Sequence, residues 1–333
     1  MILHNKLVLH PTDKEAVARV MESGQIGPGA EVAAFERELA NRFRPSGEAV
    51  CVNSGTAALR LAINACRVAN GHQAIGIPTY ACTALLYAAR DELTTNIRIV
   101  DSDPETFNAL AAEVKKFVVV HTYGVARACS ADGDIEDFSH APGLVVDHAP
   151  IGSLGALSVI SFGATKPLGC GSGGAILGPS DLIGWIREMC DYERADWRSR
   201  FNWLWHDLGA AIGRSRLRRL NEENAWRRQT AMLYNQARPG HVSIQAPSVP
   251  AHERGWYRYV LRFEDAEQVG LAMSRLASAG IETIVPLRTD ELLGYPQRCP
   301  NAAAIAKTTL SLPIWPGMTH EQTHRVADAL AGA

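Results

Sequence analysis

Lys166 stands between an apolar run and a glycine-rich turn, in Ser161-Phe162-Gly163-Ala164-Thr165-Lys166-Pro167-Leu168-Gly169. Most lysines of soluble proteins are solvated surface groups. This one follows Leu157-Ser158-Val159-Ile160, which reads as a buried strand, and precedes Gly169-Cys170-Gly171-Ser172-Gly173-Gly174. An amine held at a strand end beside flexible backbone is a candidate nucleophile. A second stretch, Asn53-Ser54-Gly55-Thr56-Ala57-Ala58-Leu59, falls where a strand gives way to a helix. A helix start offers unpaired N–H groups and the positive end of a dipole; Gly55 lets an anion approach and Thr56 adds a hydroxyl. That suits a phosphate, and it equally suits a plain N-cap, for which Ser and Thr are common. The stretch is neither a Walker A loop nor a G-x-G-x-x-G fingerprint.

A third stretch, Ile135-Glu136-Asp137-Phe138-Ser139-His140, sets a carboxylate and an imidazole just after an expected strand. Ligands of open α/β sheets gather at the carboxyl ends of strands, and a buried aspartate there wants a cationic partner. The alternative is a polar loop with an acidic edge. Asp101-Ser102-Asp103-Pro104-Glu105 reads as a solvated acidic turn, with a metal site as the lesser option. The arginines of Arg214 to Arg219 suit a phosphate or, more simply, a solvated helix face.

The elements that must position these groups alternate in type. Asp13 to Glu22, Glu31 to Phe43 and Thr56 to Ala69 pattern as helices. Ala49–Val52, Ala74–Ile77, Ile97–Val100, Phe117–Val120 and Leu157–Ser161 are short apolar runs, expected as buried strands. Continuous apolar strands between helices argue for a mostly parallel sheet covered on both faces. From Arg214 a long charged helix is expected to about Ala237, ended by Arg238-Pro239-Gly240. Beyond it, Trp256 to Phe263 reads as a half-exposed strand, Ala266 to Ala279 as a helix, and Ile281 to Val285 and Thr309–Leu312 as strands. Thr319 to Leu330 reads as a closing helix. The expectation is a large α/β domain over 1–213 and a smaller α+β domain over 214–333.

Composition narrows the function. The chain has 333 residues, 47% hydrophobic and 20% charged, with a formal net charge of −2. That balance is globular and gives no electrostatic case for nucleic acid or an anionic membrane. No apolar run is long enough to span a bilayer, and the first residues lack the order of a signal peptide. The seven cysteines are scattered without C-x-x-C spacing, so neither a disulfide framework nor a zinc site is expected, and a cytoplasmic setting fits.

A lysine, an acid, an imidazole and a phosphate-shaped turn at the strand ends of one sheet form a set. Pyridoxal phosphate needs it: an amine to carry the aldehyde, an acid for the ring nitrogen, and a cradle for the phosphate. The ordered motifs resemble the DegT/StrS sugar-aminotransferase family of fold-type-I pyridoxal phosphate enzymes, from about Gly24 to about Leu330. The family shows "NSGTAAL", matched at 53–59, and "IEDAAH", matched by "IEDFSH" at 135–140. It shows "SFxxTKxxxxGxGG", matched at 161–174, and "FE", "DVDPETFN", "HLYG" and "LSLP", matched at Phe35, Asp101, His121 and Leu310 onward.

The resemblance implies a fold-type-I architecture: a large α/β domain with a mostly parallel, seven-stranded-type sheet between helices, and a smaller C-terminal α+β domain. It implies that Lys166 carries pyridoxal 5′-phosphate as a Schiff base and moves the proton. Asp137 pairs with the pyridine nitrogen, and His140 bonds the phenolic oxygen. Gly55, Thr56, Ala57 and Ser161 hold the phosphate. Phe201-Asn202-Trp203 resembles the "YNYR" segment, so Asn202 is expected to reach the phosphate of a neighbouring subunit in a homodimer with shared sites. At the position where many members stack an aromatic ring on the cofactor, this chain has Cys82, with Tyr80 as the alternative. The family's "HYP"-like histidine is replaced within Val285-Pro286-Leu287, and the chain is short near 238–255.

The implied reaction is transamination. An amino acid, glutamate first, leaves its amine on the cofactor as pyridoxamine phosphate, which aminates a keto sugar, nucleotide-linked in the main reading. A non-nucleotide ketone such as a keto-cyclitol is the runner-up. A dehydratase reading is disfavoured because Lys166 is present. A cofactor-binding regulator would carry an added DNA-binding segment.

Overall fold

The computed structural model describes residues 1–69, 74–90, 97–110, 115–190 and 200–332. The chain begins with helices α1 (Pro11–Ser23) and α2 (Ala30–Phe43). It then alternates through β1 (Glu48–Val52), α3 (Gly55–Ala69), β2 (Ile75–Pro78), α4 (Thr83–Ala89), β3 (Ile97–Val100), β4 (Lys116–Val120) and β5 (Ile135–Asp137). A small hairpin, β6 (Val145–Val146) and β7 (Ala149–Pro150), leads to β8 (Leu157–Ser161), β9 (Gly174–Gly178) and α5 (Ser180–Cys190). After it come α6 (Asp207–Ala237), β10 (Ser243–Ile244), β11 (Tyr259–Arg262), α7 (Ala266–Ser278), α8 (Pro300–Thr308), β12 (Thr309–Leu312) and α9 (His320–Ala331).

The main sheet has seven strands in the order β1-β9-β8-β5-β4-β2-β3. Neighbours from β8 through β5, β4 and β2 to β3 are parallel, and β9 runs antiparallel to both β1 and β8. This is the mostly parallel sheet expected from the apolar runs. Side chains alternate along each strand, so the two faces feed separate cores. Val50, Val52, Val118, Val159 and Ile176 pack with α3, α4 and α5. Ala49, Cys51, Ile160, Ala175 and Leu177 pack on the other face with Phe35, Leu39 and Phe43 of α2 and Leu217 and Leu220 of α6. Each fully buried Val, Ile, Leu or Phe among them contributes about 1.5–3 kcal/mol.

Several elements differ from expectation for local reasons. Helix α6 starts at Asp207, whose carboxylate accepts the N–H groups of Glu31 and Val32 at the start of α2, so Arg214 lies inside the helix. Residues 281–285 form no strand. The Ile281 N–H closes α7 onto Leu276 O, and only Ile281 and Ile284 make isolated bridges, to Ile2 and Ser311. Strand β11 starts at Tyr259 because Trp256 takes a left-handed φ of 45°. It is buried rather than half-exposed, since it runs between β10 and β12. Residues 135–137 are themselves a strand rather than the stretch after one. Helices α4, α5 and α8 and strand β9 lie where no element was assigned; the glycines bounding Gly174–Gly178 read as turn.

The acidic segment at 101–105 is structural. Asp101 accepts the N–H groups of Asn301 and Ala302 at the start of α8, and Asp103 accepts those of Glu105 and Thr106 within its own turn. The expected turn is present and half-exposed at 104–106, with the Asp101 carboxylate used to cap α8 and that of Asp103 to close the turn itself. Among the described residues no helix is long and apolar enough to cross a membrane.

Candidate active site

Strand ends β1, β5 and β8 deliver the three motifs to one cavity. Its inner half is lined by Ser54, Gly55, Thr56, Ser161, Ser172 and Gly173. Its outer half is lined by Tyr80, Tyr123, His140, Tyr257, Arg258 and Leu287. Lys166, Asp137 and Cys82 border both halves. Asp137 is the only carboxylate among the described lining residues.

The inner half is an anion cradle. Helix α3 opens there, and the N–H groups of its first turn have no acceptor in the helix. A Cβ on Gly55 would lie 2.7 Å from Cβ of Ser161 and 2.8 Å from its Oγ, so only glycine lets β8 and the start of α3 approach this closely. Gly173, at φ 110°, closes the third side. Ser161 Oγ accepts the Gly163 N–H at 3.3 Å, and the Ser161 N–H donates to Ser139 Oγ at 2.9 Å. Ala57 does not join the cradle: it is buried, and its N–H donates to Ser54 Oγ at 3.1 Å. The N-cap is present at Ser54, and it leaves the Gly55 and Thr56 end of the helix start lining the cavity.

Lys166 Nζ lies 2.7 Å from Nε2 of His140 and 5.2 Å from the ring centre of Tyr257. His140 Nδ1 accepts the backbone N–H of Tyr123 at 3.2 Å. A neutral imidazole has a single N–H, so that proton resides on Nε2 and points at Lys166. Burial first, with the positive charge of Arg258 adding to it, holds the His140 pKa well below its usual value and keeps the ring neutral. The ring stacks on Tyr257 with centroids 4.4 Å apart. Tyr257 donates or accepts at 3.4 Å with Thr165 Oγ1. Its pKa lies below the usual phenol value: burial raises it, and Lys166, Arg258, the Thr165 contact and Arg227 together outweigh that.

Asp137 ends β5, and its carboxylate Oδ1 accepts the Ser139 N–H at 3.0 Å. Its neighbour Glu136 faces the opposite side and is fully buried. It takes hydrogen bonds from His121 Nε2 at 3.0 Å, the N–H groups of Gly152 and Leu154, and Ser158 Oγ. Burial alone raises the Glu136 pKa, but these donors, His121 first, hold it below the usual glutamate value. Cys82 occupies the N-cap position of α4 and is exposed at the junction of the two halves, whereas Tyr80 is buried and borders only the outer half.

Arg258 comes from the C-terminal part. Its guanidinium lies 5.1 Å from the Tyr257 ring centre and 3.3 Å from His4 Nε2, its Nε has no partner, and no carboxylate pairs with it among the described residues. Sequence reasoning missed both Tyr257 and Arg258. They lie 117 and 118 residues from His140 inside an apolar strand run, where nothing local marks them. Asn202 is exposed and stands outside the cavity, and the rings of its chain neighbours Phe201 and Trp203 stack directly on each other.

A fold of this topology with an amine and one acid at the junction of a glycine- and serine-lined cradle and a tyrosine-lined chamber is that of a pyridoxal phosphate-dependent aminotransferase. Residues 8–331 match the DegT/DnrJ/EryC1/StrS aminotransferase family, and the chain belongs to it. It is 30% identical to the spore coat polysaccharide biosynthesis protein SpsC of Bacillus subtilis (strain 168), over 95% of this chain and 92% of that one. It is 28% identical to the dTDP-3-amino-3,4,6-trideoxy-alpha-D-glucose transaminase of Streptomyces venezuelae, over 95% and 90%. Among solved structures, the aminotransferase TlmJ from Streptoalloteichus hindustanus superposes with a TM-score of 0.86 at 25% identity, over 100% of this chain and 98% of that one.

Proposed function

We propose that this aminotransferase moves the amino group of an amino acid, glutamate the expected donor, onto a keto sugar carried on a nucleotide. The observation that carries the proposal is the Lys166–His140 contact of 2.7 Å at the mouth of a cradle without a Cβ at Gly55. The residues fit the cofactor: Gly55, Thr56 and Ser161 would hold its phosphate, Asp137 its ring nitrogen and His140 its phenolic oxygen, with Cys82 rather than Tyr80 against the ring. When bound, pyridoxal phosphate supplies the carbon that accepts the amine and a ring that withdraws electrons from the donor's α-carbon.

Lys166 Nζ, free as an amine, takes the proton from the donor's α-carbon and later returns one to the acceptor's carbon. His140 Nε2–H donates toward the polar centre of the site, and its stacking on Tyr257 fixes the ring plane. Asp137 presents its carboxyl group to the same cavity as Lys166. Arg258 receives an anionic group of the substrate, and Tyr80, Tyr123 and Tyr257 exclude water from the outer half.

The substrate class rests on the two relatives, one named for polysaccharide biosynthesis and one for a dTDP-sugar transaminase. One observation favours the second reading, a non-nucleotide ketone such as a keto-cyclitol: Pro286 and Leu287 line the cavity where the histidine segment of the family was expected. We further propose a homodimer in which exposed Asn202 completes the partner's cradle, and a division near 213/214 that α6 crosses. Borohydride reduction of the cofactor-loaded protein should tag Lys166, and glutamate should convert the cofactor to its aminated form. That form should then pass its amine to nucleotide-linked keto sugars. Tagging of another lysine, or no response to glutamate, would overturn the assignment; amination of free cyclitol ketones alone would select the second reading.

A further inference from the structure

Behind the Thr165–Lys166 turn lies a second, smaller cavity that shares only Lys166 with the site above. It has about 30 Å³ of free space and is lined by Lys6, Arg216, Glu223, Arg227, Lys166 and Trp315, among others. Arg216, Glu223 and Arg227 recur at helical spacing along one face of α6. Arg227 is 4% exposed, and its Nε and Nη1 have no hydrogen-bond partner. Arg216 is 5% exposed; it donates to Val8 O, Pro167 O and Glu223, and its Nε is likewise unpartnered. Glu223 is the only acid in the lining, and Arg216 and Arg219 share it. The other arginines of the 214–219 run are accounted for: Arg214 pairs with Glu31 and Glu38, Arg219 with Asp13, and Arg218 is exposed.

Guanidinium N–H groups buried without acceptors, as at Arg227 Nε and Nη1 and Arg216 Nε, are costly. An anion in the cavity removes that cost, and size selects it. A water-sized sphere needs roughly 10–15 Å³, so the small space favours a compact anion over a bulky one. We propose that Arg227 and Arg216, with Lys6 at the rim, form a binding site for a single halide-sized anion behind the catalytic lysine. Burial and Arg216 bring the Arg227 pKa down to about 10 against the pull of Glu223, as expected of a cation lacking a full counter-charge. The anion lies on the far side of the Thr165–Lys166 turn and balances the positive charge gathered there.

Crystals of the holoenzyme grown with sodium bromide should show anomalous density against the guanidinium of Arg227. In solution, chloride at a tenfold excess over its dissociation constant should raise the melting temperature by roughly 2–3 °C relative to gluconate at equal ionic strength. Arg227→Met should abolish that difference and Lys6→Met should shrink it. Bromide density confined to the surface would overturn the proposal, whether or not Arg227→Met folds. So would an equal chloride response in all three proteins, or stabilisation by acetate and not chloride, which would make this a carboxylate site.

Discussion

Gly55→Ala should weaken pyridoxal phosphate binding while leaving pyridoxal binding nearly unchanged. The new Cβ would stand 2.7 Å from Cβ of Ser161, against an ordinary carbon contact of about 3.5–4.0 Å, so the two segments must part by about 1 Å. Ser161 cannot relieve this by turning its side chain, because its Cβ is fixed to β8, a strand paired on both sides with β5 and β9. The start of α3 must move instead, and with it the N–H groups that face the phosphate. Overpacking of this kind costs about 1–3 kcal/mol. If that cost falls on the cradle, affinity drops by roughly 5–150-fold. Absorbance titration of the apoprotein with pyridoxal phosphate and with pyridoxal gives both constants. Adding Ser161→Gly removes the clashing carbon, so the double variant should bind the phosphate ester better than the two single losses combined predict. Equal loss for both ligands, or strictly additive losses, would refute the cradle.

Arg258→Met should lower kcat/KM for the anionic substrate by roughly 10–150-fold, the loss of a charge-assisted hydrogen bond of about 1.5–3 kcal/mol, with the melting temperature little changed. Arg258→Lys should recover part of it. Glu136→Gln should destabilise the protein by about 1.5–3 kcal/mol at neutral pH, since it weakens the hydrogen bonds that a buried carboxylate accepts from His121, Ser158 and two backbone N–H groups. Because the folded Glu136 pKa lies below the ordinary 4.5, its stabilisation is complete above that value and fades as pH falls through the folded one. Denaturant titrations should therefore show wild type and Glu136→Gln converging as pH falls below 4.5. Ser54→Ala removes the acceptor of the Ala57 N–H and should cost about 1 kcal/mol of stability by the same titration.

The residues legible in the sequence are those whose motif is also their structure. Gly55, Asp137, Ser161 and Lys166 sit at or just past strand ends, and a parallel sheet brings strand ends to one edge whatever the intervening chain does. Tyr257 and Arg258 were illegible because they reach His140 and Lys166 through the pairing of β11 with β12, which no local pattern encodes. The segment 281–285 misled for the opposite reason. Its apolar alternation is that of a strand, but its first N–H is spent on closing α7. Ala57 belonged to the right motif, yet a helix start can turn only some of its N–H groups to a ligand, and Ser54 takes this one.

The state of His140 depends on a strained neighbour. Tyr123 holds φ 54°, ψ 21°, a left-handed conformation that costs a non-glycine residue about 1–2 kcal/mol. Such strain persists only where the surroundings over-determine it, and here they do. On one side His121 is pinned by Glu136 and by the Arg127 N–H at its Nδ1, and the Thr122 N–H donates to Asn108 Oδ1 at 2.9 Å. On the other, Gly124 packs against the backbone of Gly255 and Trp256 so closely that a Cβ would fall 2.8 Å from Trp256 N. The Tyr123 ring is held edge-on to Tyr80. Between these anchors the Tyr123 N–H has one direction left, toward His140 Nδ1. Occupying Nδ1 forces the imidazole proton onto Nε2, beside the amine of Lys166. The cost of one backbone torsion thus fixes which nitrogen of His140 donates, and the buried Glu136 network behind β5 is what keeps that torsion from relaxing.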